Sequence, residues 1–97
     1  MMALLDLLGR RWTLRVLWEM RDGKPLTFRE LQARCDGMSS SVLAQRLAEL
    51  DEVGVVAGSD GGYALTSEGK TLIASLAPLD SWAKRWARRV SAGGQSR

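Results

Sequence analysis

The sequence predicts a mainly α-helical domain that carries one small β-hairpin. Apolar residues recur at helical spacing over most of the chain. Capping residues mark two helix starts, at Thr27 and Ser39. A glycine-rich segment, residues 58–62, separates two short apolar runs that are typical of strands. With 97 residues, 45% of them hydrophobic and 26% charged, the composition is that of one globular domain.

The amino-terminal region predicts two helices. The first is short, ends near Gly9 and is formed around four leucines, Leu4, Leu5, Leu7 and Leu8. The second is apolar on two faces, which carry Trp12, Val16 and Met20 on one side and Leu14, Leu17 and Trp18 on the other. A helix that is apolar on two faces must be covered on both. It is expected to end at residues 22–25, where Gly23 and Pro25 break the pattern.

The next two helices form a predicted helix-turn-helix. Thr27 and Glu30 have capping-box spacing, and the helix over residues 28–35 is expected to bury Phe28, Leu31 and Cys35. Gly37 suits the left-handed position that ends this helix. Ser39 then caps a helix over residues 39–52, whose inward face consists of Leu43, Leu47 and Leu50.

The remaining elements are a hairpin and a long helix. Residues 55–57 and 63–65 are predicted strands, with the glycine-rich segment as the tip. Thr66 caps a helix over residues 67–91, and a kink or a restart is expected at Pro78. Residues 1–92 therefore form one domain, and residues 93–97 are predicted to be a disordered tail.

The charge is segregated along the chain. The net charge is +3, but residues 10–46 carry +4, residues 47–83 carry −5 and the last fourteen residues carry +5. Segregated positive charge favours a polyanionic partner, because neutralising phosphates releases counterions. A solvated basic face with a frayed tail explains the same pattern.

Several functional classes are excluded by residues that the chain lacks. It has no histidine, and this excludes the nucleophile pairs that need histidine, the common zinc centres and haem with a histidine ligand. The only adjacent carboxylates, Asp51 and Glu52, would point about 100° apart on a helix and would not share an acid–base site. No glycine-rich loop has phosphate-cradle spacing. The sequence thus predicts that the protein is not an enzyme and needs no cofactor or metal. One cysteine, no secretory signal and no apolar run long enough to cross a bilayer favour a cytoplasmic protein.

The element order is helix, helix, small strand, helix-turn-helix, hairpin and helix, which is the order of a winged helix. Within it, the residues Leu8-Gly9-Arg10-Arg11-Trp12-Thr13-Leu14 are the most specific piece, followed by segments 26–31, 38–50 and 54–56 and the run Tyr63-Ala64-Leu65-Thr66-Ser67-Glu68-Gly69. Over residues 4–91 the chain resembles the HxlR-type winged helix-turn-helix transcriptional regulators. That resemblance implies a homodimeric bacterial regulator that binds double-stranded DNA, paired through its terminal helices.

The helix over residues 39–52 is the predicted recognition helix. Its outward stripe consists of three small residues and one amide, which are Ser41, Ala44, Ala48 and Gln45. Ser40 and Arg46 flank this stripe. Gln45 is suited to bond an adenine at two points, Ala44 to touch a thymine methyl, and Arg46 to reach a phosphate or a guanine. The full set of predicted DNA contacts is Thr27, Arg29, Ser39, Ser40, Ser41, Ala44, Gln45, Arg46 and Ser59. A plain solvated helix face is the alternative, and capping alone explains Thr27.

The terminal helices carry predicted dimer contacts. In a two-fold dimer six apolar residues are expected to meet their copies: Leu4, Leu8, Trp12, Leu79, Trp82 and Trp86. Purely intramolecular packing and attachment of the basic, tryptophan-bearing helix to a membrane surface are the alternatives. A pocket lined by tryptophans at such an interface would suit an unidentified aromatic effector.

Three features depart from the HxlR pattern. Cys35 does not stand at the position of the amino-terminal cysteine that some members use as a sensor, and it is expected to be a small buried apolar residue, with a redox switch as the alternative. Ser41 stands where many members have a basic residue. The hairpin is short and acidic, with Asp60 and no Lys or Arg between Val55 and Thr66, which leaves the Ser59 hydroxyl or backbone amides for a phosphate contact. The last two features favour a second function, a winged helix used as a protein-interaction module.

Overall fold

The computed structural model describes residues 1–94. Five helices and one hairpin follow in the order α1 (Met2–Leu8), α2 (Thr13–Glu19), α3 (Phe28–Arg34), α4 (Ser40–Glu52), β1 (Val56–Ser59), β2 (Gly62–Leu65) and α5 (Ser67–Gly94). This confirms the predicted mainly helical fold and the winged-helix order of elements. No helix within the described part of the chain is both long enough and apolar enough to span a bilayer.

The core lies where α2, α3 and α4 meet the base of the hairpin. Its largest fully buried side chains include Leu17, Met20, Leu31, Leu43 and Leu50. Phe28 is only partly buried and packs against this core from its edge, in contrast to the full burial expected from its position. Because α4 contributes three leucines to the core, its opposite side is free to face solvent.

The capping signals act as predicted. The Thr27 hydroxyl accepts from the Glu30 amide at 3.1 Å, and the Glu30 carboxylate accepts from the Thr27 amide at 2.8 Å, which completes a capping box. The Ser39 hydroxyl accepts from the Val42 amide at 3.2 Å and begins α4. These bonds satisfy amide groups that have no partner within a helix.

A reciprocal clasp joins α2 to α3. Arg15 donates to the carbonyl of Arg34 at 2.7 Å, while Arg34 donates to the carbonyl of Glu19 at 3.0 Å. Arg15 also pairs with the Glu19 carboxylate at 2.8 Å. Each guanidinium therefore satisfies a carbonyl in the last turn of the other helix, where a positive charge is favourable.

The hairpin is longer than the sequence pattern indicated. β1 reaches Ser59 and β2 begins at Gly62, so only Asp60 and Gly61 form the turn. The predicted small strand is a single bridge in which Leu26 and Tyr63 exchange backbone hydrogen bonds at 2.8 and 2.7 Å. This bridge ties the hairpin to the chain segment immediately before α3.

The last helix projects from the body of the molecule. Instead of restarting at Pro78, α5 runs without interruption from Ser67 to Gly94, which is about 42 Å at 1.5 Å per residue. Its length accounts for the elongated outline of 50 × 28 × 24 Å. The helix includes Gly93 and Gly94 of the predicted tail, and residues 95–97 lie outside the described part of the chain.

Candidate nucleic-acid interface

Helix α4 presents an exposed stripe of small side chains and one amide. Leu43, Leu47 and Leu50 are buried on the inward side, and the stripe opposite them consists of four exposed residues, Ser41, Ala44, Gln45 and Ala48. A helix of this width fits the major groove of B-DNA, and short side chains let its axis approach the base edges. The structure thus brings together the four residues that the helical period places on one face.

The start of α4 adds three hydroxyl groups to this surface. Ser39 caps the helix, and its Oγ lies 3.3 Å from Oγ of Ser41. The Gln32 amide donates to Ser40 Oγ at 3.1 Å and holds that side chain against α3. All three serines are exposed.

Arg46, a predicted DNA contact at the edge of this surface, is largely buried. Its side chain is only 12% exposed and lies 3.3 Å from the Glu49 carboxylate. Arg10, on the turn between α1 and α2, donates to the other oxygen of Glu49. Two cations thus share one carboxylate beside the inward face of α4.

The start of α3 offers one exposed cation. Arg29 is exposed in the first turn, beside the capping box. Hydrogen bonds from the Thr27 amide and hydroxyl lower the pKa of the Glu30 carboxyl, which keeps it ionised. The hydroxyl of Thr27 is already engaged in the cap, so Arg29 is the better placed of the two to meet a phosphate.

The hairpin tip is exposed and acidic. Ser59 donates through its hydroxyl to the Gly62 carbonyl at 3.2 Å, within the tip itself. The Asp60 carboxylate stands in the turn, and no Lys or Arg occurs from Val55 to Thr66. Ser59 lies at the predicted place, but its hydroxyl proton is used inside the hairpin.

A recess separates α4 from the hairpin and contains residues that the sequence pattern had not singled out. It is lined by Ala44 and Ala48 from the stripe, Gly58 of β1, Tyr63 of β2 and Asp51. Tyr63 also borders the hollow between the hairpin and the start of α3. Tyr63 is paired with Gly58 across the hairpin and packs partly against the core.

The apolar face of the distal half of α5 is uncovered. Leu79, Trp82 and Trp86 are 54%, 48% and 47% exposed, and Leu4 on α1 is 36% exposed. The rings of Trp82 and Trp86 are stacked, with centroids 5.8 Å apart and planes 8° from parallel. Leu8 and Trp12 behave differently from the other predicted dimer residues, because both are partly buried against the chain's own core.

Cys35 is fully buried, as expected for a small apolar residue. Burial raises the pKa of its thiol, although the nearby Arg15 opposes this effect. A protonated, inaccessible thiol reacts poorly with oxidants and electrophiles. Among the residues that the structure describes, no cluster of His, Cys, Asp or Glu has the composition of a metal site.

Comparison with known proteins identifies the family. The model of the HxlR-like helix-turn-helix family matches residues 7–91. The chain belongs to the HxlR-like helix-turn-helix family. The chain is also similar to the uncharacterized HTH-type transcriptional regulator YvaP of Bacillus subtilis, with 32% identity over 88 residues, or 84% of this chain and 81% of YvaP.

Solved structures of HxlR-type proteins share the fold. Quinone-bound YodB of B. subtilis superimposes with a TM-score of 0.78 at 31% identity, over 86% of this chain and 93% of YodB. A possible HxlR family transcriptional factor from Thermoplasma volcanium also has a TM-score of 0.78, at 30% identity, over 87% of this chain and 81% of that one. The HxlR-like proteins are helix-turn-helix transcriptional regulators, so the predicted class of protein is confirmed.

Proposed function

We propose that this HxlR-type protein is a sequence-specific regulator that binds double-stranded DNA as a homodimer on a pseudo-palindromic operator in the cytoplasm. The observation that carries the proposal is the exposed stripe of α4, held outward by three buried leucines on the opposite side of the helix. In helix-turn-helix proteins the second helix lies in the major groove and its partner helix crosses the phosphate backbone.

Gln45 is the side chain best suited to read a base. It is exposed near the middle of the stripe, and a glutamine amide can donate to N7 and accept from N6 of adenine at the same time. Ala44 supplies a methyl group for contact with thymine. Ser41 and Ala48 are small enough to leave the helix close to the bases.

Arg29 is the proposed phosphate contact. It begins the helix that crosses the backbone in this class of fold and is exposed. The serines at the start of α4, Ser39 to Ser41, supply hydroxyl groups for further phosphate oxygens. The hairpin contributes its backbone amides and Ser59 in place of a basic side chain.

The dimer is proposed to form through the apolar faces of α1 and α5. Beyond Pro78 nearly every residue of α5 up to Ser91 is exposed, including two stacked tryptophans. Apolar surface of that kind on a projecting helix favours burial against a second copy. A two-fold dimer would place its two α4 helices in successive major grooves of one duplex.

The same tryptophans are the proposed contact for a planar aromatic effector, in keeping with the quinone present in the YodB structure. Quenching of tryptophan fluorescence by a simple quinone tests this. Unchanged fluorescence up to millimolar quinone would remove the effector from the proposal.

A protein-interaction module is the second candidate, because acidic groups border the proposed DNA surface. Asp51 lines the recess beside the stripe and Asp60 stands at the hairpin tip. Both would repel phosphates. A basic partner protein would be attracted by the same two carboxylates.

Selection from a pool of random duplexes, followed by sequencing, tests the proposal. The expected result is an enriched motif with two related half-sites about one helical turn apart. Ala48→Asp places a carboxylate on the stripe and should abolish binding, whereas Ala74→Asp, an equal charge change at an exposed position of α5, should leave most of it. Failure of the wild-type protein to enrich any duplex would overturn the proposal and favour the protein-interaction module.

A further inference from the structure

The turn between α1 and α2 contacts the helix-turn-helix at both ends of α4. Arg10, on this turn, bonds Glu49 in the last turn of α4. Trp12, two residues later, extends its ring to the turn that precedes α4, where Cη2 lies 4.0 Å from the place of a Cβ on Gly37. One short segment therefore bonds to the last turn of α4 and lies beside the turn that precedes α4.

Glu49 is the more enclosed partner in its contact with Arg10, whose side chain is 50% exposed. The Glu49 side chain is 18% exposed and sits between Arg10 and Arg46, which is itself 12% exposed. Oε1 of Glu49 and Nε of Arg46 are buried and have no hydrogen-bond partner among the described residues. Arg46 belongs to α4, so the pair between Glu49 and the half-exposed Arg10 is the ionic contact that ties the turn to this helix.

The Trp12 contact depends on an unusual backbone conformation. Trp12 has φ = 79°, the only positive φ at a residue other than glycine among those described. Large side chains seldom adopt the left-handed region and persist there only when surrounding contacts hold them. Packing of the ring against the core and the turn at Gly37 provides such contacts.

We infer that Arg10 and Trp12 are positioning residues that set the angle at which α4 presents its stripe to DNA. The inference rests on the proposed function. Arg10 acts through Glu49, and Trp12 acts through the turn before α4.

Two substitutions with opposite charge changes test the inference. Arg10→Gln removes a positive charge and Glu49→Gln removes a negative one, so long-range attraction to DNA should weaken in the first and strengthen in the second. If the contact between Arg10 and Glu49 positions α4, both substitutions should instead change the preference for the selected duplex in the same direction. The ratio of affinity for the selected duplex to affinity for a scrambled duplex should fall about five-fold, which is the effect of losing one partly buried ion pair.

The comparison includes three further variants. The double variant should be no worse than Glu49→Gln alone, because that substitution already removes the pair with Arg10 in addition to the pair with Arg46. Trp12→Leu keeps an apolar side chain but cannot reach the turn at Gly37, and it should lower the ratio by a similar factor. Arg21→Gln is the matched control, because Arg21 is an exposed cation that contacts Trp18 and not α4. Thermal melting of each variant shows that it is folded at the assay temperature.

The outcomes separate the inference from the function on which it rests. A reduced ratio in Arg10→Gln, Glu49→Gln and Trp12→Leu, with Arg21→Gln unchanged, supports it. Affinity ratios equal to that of the wild type overturn the inference and leave the proposed DNA binding intact. The inference is also overturned if the ratio falls in one of the Arg10→Gln and Glu49→Gln variants and rises in the other. If the wild type itself shows no preference for any duplex, the proposed function fails and the inference falls with it.

Discussion

Removal of one tryptophan from the proposed dimer surface should weaken the dimer strongly. Trp82 is 48% exposed in the single chain and stacks on Trp86. A tryptophan has about 200 Å² to bury, so a dimer would cover roughly 100 Å² more on each copy of Trp82. At about 25 cal/mol per Å² the two copies contribute about 5 kcal/mol to the dimer.

Trp82→Ala does not forfeit the whole of this free energy, because Trp86 can move into part of the space. We expect a loss of at least about 2 kcal/mol, which raises the dissociation constant of the dimer at least about 30-fold. The matched control is Arg88→Ala, which removes a large exposed side chain from the opposite side of the same helix.

Light scattering and sedimentation equilibrium over a range of protein concentrations measure this constant. Thermal melting at the same concentrations should show a lower midpoint for Trp82→Ala than for Arg88→Ala, because a weaker dimer stabilises the fold less by mass action. Equal dissociation constants for Trp82→Ala and the wild type, or a wild-type monomer at micromolar concentration, would refute the argument that this face is buried between copies.

Three further predictions concern the proposed DNA surface, the hairpin and the first cap. Gln45→Ala should change the selected DNA sequence and lower the free energy of discrimination at one base pair by about 1–3 kcal/mol, as measured by competition between duplexes. Gly62→Ala should destabilise the fold by about 3 kcal/mol or more, because φ is 116° and a Cβ would lie 2.2 Å from the Leu26 carbonyl oxygen. Gly58→Ala, with nothing within 4 Å of the new methyl group, is its control in a denaturant titration. Glu30 has a lowered pKa in the fold, so its contribution is present above the unfolded pKa and is lost as the pH falls through the folded value. Glu30→Gln should therefore lower the melting temperature at neutral pH, and the difference from the wild type should shrink in acid; a constant difference would contradict this.

Local signals predicted the fold well because each one determines its element through residues that are near one another in the sequence. The capping box at Thr27 and the cap at Ser39 need only residues three positions away. The leucine spacing of α4 depends only on the helical period, and it oriented the exposed stripe correctly.

The errors arose where a distant residue decided the outcome. Arg46 lies next to the inward face of α4, and its burial follows from Glu49 together with Arg10, which is 39 residues from Glu49 in the sequence. The hairpin extended into the glycine-rich segment because backbone pairing needs no side chains. Trp12 is held by the turn at Gly37 in addition to the core, a contact that no local pattern encodes.

The clasp between Arg15 and Arg34 has a consequence for how the molecule opens. Helices of seven residues are unstable alone, because one or two turns cannot offset the cost of helix nucleation. Since each guanidinium holds a carbonyl of the other helix, fraying of α2 releases the end of α3, and the reverse is also true. The two helices therefore form one cooperative unit, and the amide protons of α2 and α3 should exchange with solvent together. Their exchange need not coincide with that of the projecting end of α5.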